Sequence, residues 1–297
     1  MGDFQAHLRQ SIWETLAYAD VFAYPLTVDE VHRYLIGLPA SIELVERALL
    51  DYPHLYEQRD GLYALPGRSE ITIVRQRRAR VAALLWPYAR RYGQAIARLP
   101  FVRMVAVTGS LAVNNVEENA DIDYLIVTEP GHLWLTRAMV LFLGRLSSRH
   151  GIGICPNYLI TLRSLTFSDQ SLYSAHELVQ MVPLAGLDVY SEIRRQNAWT
   201  QRYLPNAGFA PEGAGNEPAS QVKPSLEALL SLPPFAWIET WEMERKIHRL
   251  SREQQTSAES SFSADVCKGH DQRHQARTYD ALGQRQQMLE PGTPGSS

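Results

Sequence analysis

The sequence predicts an α+β protein, and three observations carry that expectation. Short β-branched, apolar runs lie in the middle of the chain, at Val105–Val107, Ile122–Ile126 and Ile154–Ile160. These suit the strands of a small buried sheet. Longer stretches with helical spacing of apolar residues surround them, at 7–24, 70–99 and 132–150. Proline and glycine mark the boundaries, with Pro25 stopping the first helix and Gly151-Ile-Gly153 ending the last of those three.

Length and composition bound what the chain does. A chain of 297 residues suggests two domains, and a hydrophobic fraction of 45% is ordinary for a globular protein. A net charge of −3 gives no global attraction to nucleic acid or membranes. The two cysteines, Cys155 and Cys267, are far apart and lack metal-ligand spacing, so a disulfide framework is not expected. The N-terminus has no basic-then-apolar signal pattern. The richest apolar stretch, Leu133–Leu146, is interrupted by Arg137 and Arg145. The expectation is a soluble cytoplasmic protein.

In the first helix Ile12, Leu16, Ala19 and Phe22 share one side. Thr27-Val-Asp-Glu30 is a capping box and opens a second helix. Pro39-Ala-Ser41 opens a third, with Ile42, Val45, Leu49 and Leu50 facing inward. Leu55–Leu65 reads as two short strands about the Asp60-Gly61 turn. Three helices followed by a hairpin resemble a winged helix-turn-helix over 1–66. That resemblance raises DNA as a partner. The would-be recognition helix, however, carries Glu43, Glu46 and Asp51 against Arg47 alone, and would repel phosphates. A structural or protein-docking role is the favoured reading.

Glu70–Leu99 reads as one helix, kinked at Pro87 and Gly93, that joins this module to the next over 67–100. It is strongly basic, from Arg75, Arg77, Arg78 and Arg80 to Arg90, Arg91 and Arg98. It forms either a solvated face whose stems cover the core, or a positive wall near a triphosphate.

The strand Val105–Val107 runs into Gly109-Ser110, a sharp turn from which a short helix starts at Leu111. A helix start leaves backbone N–H groups open, and a glycine lets a phosphate approach them. In the next strand Ile122, Tyr124 and Ile126 alternate with Asp121, Asp123 and Leu125, which puts Asp121 and Asp123 on one face. Two adjacent carboxylates repel unless a cation lies between them. Mg²⁺ is suited to a few carboxylate oxygens plus substrate phosphates.

Gly-Ser, a short helix, then Asp-x-Asp in an apolar strand resembles the nucleotidyltransferase superfamily, with its DNA polymerase β-like, kanamycin-nucleotidyltransferase-like fold. The resemblance covers roughly 101–165 well. It implies a small mixed sheet, with Gly109 and Ser110 binding the β- and γ-phosphates of an NTP donor. It also implies that Asp121 and Asp123 hold Mg²⁺ (or Mn²⁺) as metal ligands and catalytic residues.

His132–His150 is the next helix, and Ile154-Cys-Pro-Asn157-Tyr-Leu-Ile160 the third strand. In the superfamily this strand carries a third carboxylate; here the matching place falls on Asn157, whose amide takes no proton. Glu177, on a helix after the sheet, is the candidate that replaces it, with His176 as the other.

The stretch from Val182 to Pro205 reads as continued helix, which completes the nucleotidyltransferase core over 101–205, with 206–224 a Gly/Pro-rich linker. Residues 225–297 form a C-terminal helical region with a disordered tail from Met288. In it Phe235, Trp237, Ile238 and Trp241 are expected in a core, and Cys267-Lys268-Gly-His270 in a surface loop. The expected activity is transfer of an NMP from an NTP to a hydroxyl of a small molecule, protein or RNA end, with pyrophosphate released. The alternatives are a catalytically silent nucleotide-binding sensor and a winged-helix regulator with a degenerate nucleotidyltransferase domain.

Overall fold

Local signals organise the N-terminal module. The computed structural model describes residues 2–208, 224–232, 237, 239–245, 261–268 and 274–287. Helix α1 (Gly2–Asp20) ends five residues before Pro25. Thr27 caps α2 (Val28–Arg33) reciprocally: its hydroxyl accepts from the Glu30 N–H at 3.2 Å, and Glu30 accepts from the Thr27 N–H at 2.9 Å. Helix α3 (Ile42–Asp51) buries Val45, Ala48 and Leu49. Leu50, expected inside, is 65% exposed, because one residue further along a helix is a rotation of about 100° off the apolar stripe. Strands β1 (Glu57–Arg59) and β2 (Leu62–Ala64) meet at Asp60 and Gly61, whose φ values of 53° and 76° fit the left-handed pair that a tight hairpin needs.

Helix α4 (Ile71–Ala97) continues through Pro87 and leads into the central sheet. A side chain at Gly93 would meet Leu184 at 2.2 Å, so this glycine admits close approach of helix and sheet. The sheet is mixed and has six strands in the order β6-β3-β4-β5-β8-β7. These are β3 (Val102–Val107), β4 (Ile122–Thr128), β5 (Ile154–Thr161), β6 (Val182–Ala185), β7 (Ser261–Phe262) and β8 (Val266–Lys268). Strand β4 runs antiparallel to β3 and parallel to β5. Helix α6 (Leu133–Ser148) makes the crossover between β4 and β5.

Alternation along the strands separates two cores. Val105, Val107, Tyr124 and Ile126 pack with Ala89 and Ile96 of α4 and with Trp134 and Val140 of α6. Met104, Ala106, Leu125 and Val127 pack on the opposite face with α7 (Leu172–Gln180) and α8 (Leu187–Gln196). Asp123 shares its parity with Leu125 and Val127, so it faces the side that α7 covers.

Several expectations change. Val182–Ala185, read as helix, is an edge strand paired with β3; Pro183 fits there because a proline lacks the N–H that an inner strand must donate. The C-terminal region is not purely helical. β7 and β8 extend the central sheet, with Lys268 opposite Tyr158 of β5, so Cys267-Lys268 is strand and not surface loop. Strand pairing with a distant segment supplies what that polar sequence lacks locally. Trp237 is 68% exposed, and the helical stretch 239–245 (α10) leaves Trp241 48% exposed and buries Glu239 instead. Phe235, Ile238, His270, most of the 206–224 linker and the tail from Met288 lie outside the described residues. Among the described residues no helix is long and apolar enough to cross a membrane.

Candidate functional site

The turn after β3 is shaped by one glycine. Gly109 has φ of +64°, and a Cβ there would lie 2.9 Å from Oδ2 of Asp123. Any other residue would be strained and would push the carboxylate away. Thr108 anchors the turn by donating its N–H to the Asp123 carbonyl at 3.0 Å. Ser110 follows as an exposed residue of the four-residue helix α5 (Gly109–Ala112).

Asp121 stands just before β4 and not within it, exposed to solvent, with its carboxylate packed over Gly153. A Cβ on Gly153 would lie 1.6 Å from Asp121 Oδ1, so the glycines closing the α6–β5 connection make room for the acid. The Asp121 charge is close enough to act on Asp123. Burial raises the Asp123 carboxyl to about 6, with the Cys155 thiol hydrogen bond opposing that rise and the Asp121 charge adding to it. Burial and the same two carboxylates raise the Cys155 thiol to about 12, which keeps it protonated as a donor to Asp123. Arg137, on α6, lies near enough to oppose that rise.

Asp123 opens onto a cavity of about 510 Å³. Gly109, Ser110, Asp123 and Glu177 line it together with Asn157, so four of the five sequence-derived site residues meet there and the fifth, Asp121, stands beside them. Cys155, not Asn157, is the residue opposite Asp123 in the strand register, and the pairing shifts by one residue between Asp123 and Leu125. Glu177 reaches the site from α7. Burial raises its carboxyl to about 7, with Lys268 opposing and Asp123 adding to the rise. His176 is occupied otherwise. Its Nδ1–H donates to the Leu172 carbonyl at 3.0 Å, its ring stacks on Tyr18 at 3.9 Å, and burial lowers its pKa to about 4. It is therefore neutral at neutral pH.

The other side of the cavity comes from the N-terminal module: Tyr18, Ala19, Phe22, Tyr24 and Tyr34 line it. The basic helix α4 holds that module in place. Arg75 donates to both Glu30 oxygens at 2.6 and 2.9 Å and to the Pro25 carbonyl. Arg78 donates to the Phe22 carbonyl at 2.8 Å, to Asn115 at 3.2 Å and to Glu117. These two arginines tie the modules together, which is neither of the two readings the sequence left open for the helix, a solvated face or a positive wall.

Sequence reasoning gave Cys155 no place in the site, passed over the aromatic wall, and placed Lys268 in a surface loop. Alternation along Cys155-Pro-Asn157 was a usable signal for the first. No local signal marked the tyrosines, which arrive by tertiary packing, and Lys268 is brought near Glu177 by the pairing of its strand with β5.

Among the described residues no three His, Cys, Asp or Glu side chains gather tightly enough to enclose a metal ion. Asp123 in the cavity wall, with Asp121 just outside it, nevertheless fits an ion that takes one or two protein oxygens and completes its shell with substrate phosphates and water. No family model, curated protein or solved structure matches the chain.

Proposed function

We propose that the chain is a Mg²⁺-dependent nucleotidyltransferase of the DNA polymerase β-like superfamily, with an N-terminal winged helix that forms part of its substrate cavity. One observation carries this reading: the Gly109-Ser110 turn, Asp123 and Glu177 line a single cavity, with Asp121 alongside. In-line transfer of a nucleotidyl group needs phosphate positioning, charge neutralisation and a proton acceptor, and little else from the protein.

Gly109 and the Ser110 hydroxyl hold the β- and γ-phosphates of the donor. Asp123 and Asp121 hold Mg²⁺, which supplies charge neutralisation at the phosphates when bound. Glu177 takes the proton of the attacking hydroxyl in place of the carboxylate that Asn157 does not provide. A carboxyl held near pH 7 by its surroundings is matched to that task.

The second reading, a nucleotide-binding sensor without turnover, is favoured by the same raised carboxyls, which are partly protonated near neutral pH. Pyrophosphate release and label transfer from each α-labelled NTP with Mg²⁺, in the presence of a cell-extract acceptor pool, separate the two. Transfer lost in Asp121→Ala/Asp123→Ala supports the transferase. Aspartate-dependent NTP binding without transfer supports the sensor, and absence of any NTP binding overturns both.

A further inference from the structure

The two ends of the cavity differ in chemistry. At the sheet end the Ser110 hydroxyl, Asn157 amide and Glu177 carboxylate line the space, and among the described residues none of these side chains is engaged in a hydrogen bond. They await polar partners from a ligand. At the other end three of the polar side chains, Thr15, Tyr24 and Asn115, are already occupied. The Thr15 hydroxyl donates to Ser11 and accepts from the Ile36 N–H, at 2.7 and 3.1 Å. The Tyr24 hydroxyl is held between Glu30 and the Val113 carbonyl at 2.7 and 2.8 Å. The Asn115 amide is taken up by Phe22 and Arg78 at 3.1 and 3.2 Å. What this end presents is ring faces and methyl groups: Tyr18 and Tyr34 around His176, with Phe22, Ala19 and Leu26.

Glu177 joins the ends. Its charge acts on Asp123 on one side and on the Tyr18 phenol on the other. Tyr18, Glu177 and Asp123 line the same cavity, so a hydroxyl held at the aromatic end shares one enclosed space with the proposed base. The cavity volume lies in the range of sites that enclose small molecules.

We propose that the acceptor is a small molecule whose planar ring bears the reacting hydroxyl, and that the N-terminal module is the wall that binds the ring. This rests on the nucleotidyl-transfer reading above. The hydroxyl oxygen forms the new bond to the donor's α-phosphorus and its proton passes to Glu177. The bond from the α-phosphorus to the bridging oxygen breaks, and pyrophosphate leaves with that electron pair. Flat rings gain from stacking against the tyrosines, whereas puckered polyols would leave hydroxyls facing apolar surface without partners.

The test uses the full chain and two kinds of probe. Planar hydroxylated rings (tyramine, 4-hydroxybenzoate, 5-hydroxyindole and a fragment set of the same class) are compared with glycerol, glucose and inositol by ligand-observed NMR. Binding of α-labelled NTPs with Mg²⁺ is measured in parallel. Three chains are compared: native, Ala19→Phe, which fills the aromatic end, and Asp123→Asn. Ala19→Leu is a smaller filler in case the phenylalanine prevents folding, with thermal melting as the check.

The expected result is that planar probes bind the native chain at least about tenfold more tightly than any polyol. Filling Ala19 should remove about that factor while NTP–Mg²⁺ binding persists. Asp123→Asn should give the reverse pattern. Equal binding of polyols, or no binding by any planar probe while NTP still binds, overturns the ring-acceptor proposal and leaves the transferase reading intact. Loss of NTP binding on filling Ala19 also overturns it, since the nucleobase would then occupy that end. If no NTP binds but planar probes still depend on Ala19, the transfer reading fails and the ring acceptor fails with it.

Discussion

The N-terminal module and the C-terminal segments perform comparable structural work by opposite means. The module is built from contacts close in sequence: a capping box within four residues, a hairpin about Asp60-Gly61, and helices with their own apolar stripes. The C-terminal segments act at a distance through acids and strand edges. Glu227 of α9 (Pro224–Leu230) accepts from Arg103 and from the Phe101 N–H, at 2.9 and 2.8 Å. Glu239 accepts the Trp134 and Leu135 N–H groups at 2.9 and 2.6 Å, closing the start of α6. Arg285 of α11 (His274–Gln287) joins Arg68 on the buried Asp20, at 2.6 and 2.8 Å. A polar, low-hydrophobicity segment can thus be integral to a fold when its charges meet open backbone groups and buried partners.

The largest effect is expected where both regions converge on the site. Asp123→Asn should lower nucleotidyl transfer by about a thousandfold, on the scale of losing a principal charge-stabilising group, while leaving the melting temperature unchanged or raised. An unchanged rate would detach the aspartate from the chemistry.

Next comes the distant acid. Glu239→Ala should destabilise the chain by about 3 kcal/mol, because two backbone N–H groups at the α6 terminus lose a charged acceptor in a buried place. Denaturant unfolding measures this, and a loss of a few tenths of a kcal/mol would mean that water replaces the carboxylate.

The pH dependence follows from the two raised carboxyls. Between about pH 4 and pH 7 the folded chain keeps protons on Glu177 and Asp123 that the unfolded chain has already released. The contribution of these two groups should therefore fall as pH rises through that window, while buried His176, held neutral, gains over much of the same range, leaving a net loss on the order of 3 kcal/mol that levels off above it. Glu177→Gln should flatten the slope, and Mg²⁺ should stabilise more at pH 8 than at pH 5. A slope identical in Glu177→Gln would place the titration elsewhere.

The smallest effect belongs to the local region. Thr27→Ala should cost about 1 kcal/mol by removing one cap bond, with the Tyr24–Glu30–Arg75 contacts still holding α2. A loss as large as that of Glu239→Ala would erase the contrast between the regions.

Much of the fold was legible because it depends on near neighbours. Thr27-x-x-Glu30, Asp60-Gly61 and the strand at 122–128 each specify their own backbone through caps, turn conformations and alternation. The Gly109-Ser110 turn and Asp123 belong to the same class, since one glycine and one strand period place them together. Expectations failed where a partner far along the chain decided the outcome. Val182–Ala185 became strand because β3 offered an open edge, and Val266–Lys268 because β5 did. Trp241 stayed exposed because Glu239 turned the other helix face inward, toward the start of α6.

The sequence by itself determined the elements that rest on near neighbours, from the capped helices to the strand at 122–128, together with the Gly109-Ser110 turn and the identity of the acids, since each depends on propensities acting over a few residues. Only the tertiary structure decided that Arg75 and Arg78 tie modules together, that Cys155 donates to Asp123, and that tyrosines from the first helices wall the cavity. Those outcomes depend on which side chain reaches a buried partner first, and burial and charge pairing are properties of the packed chain.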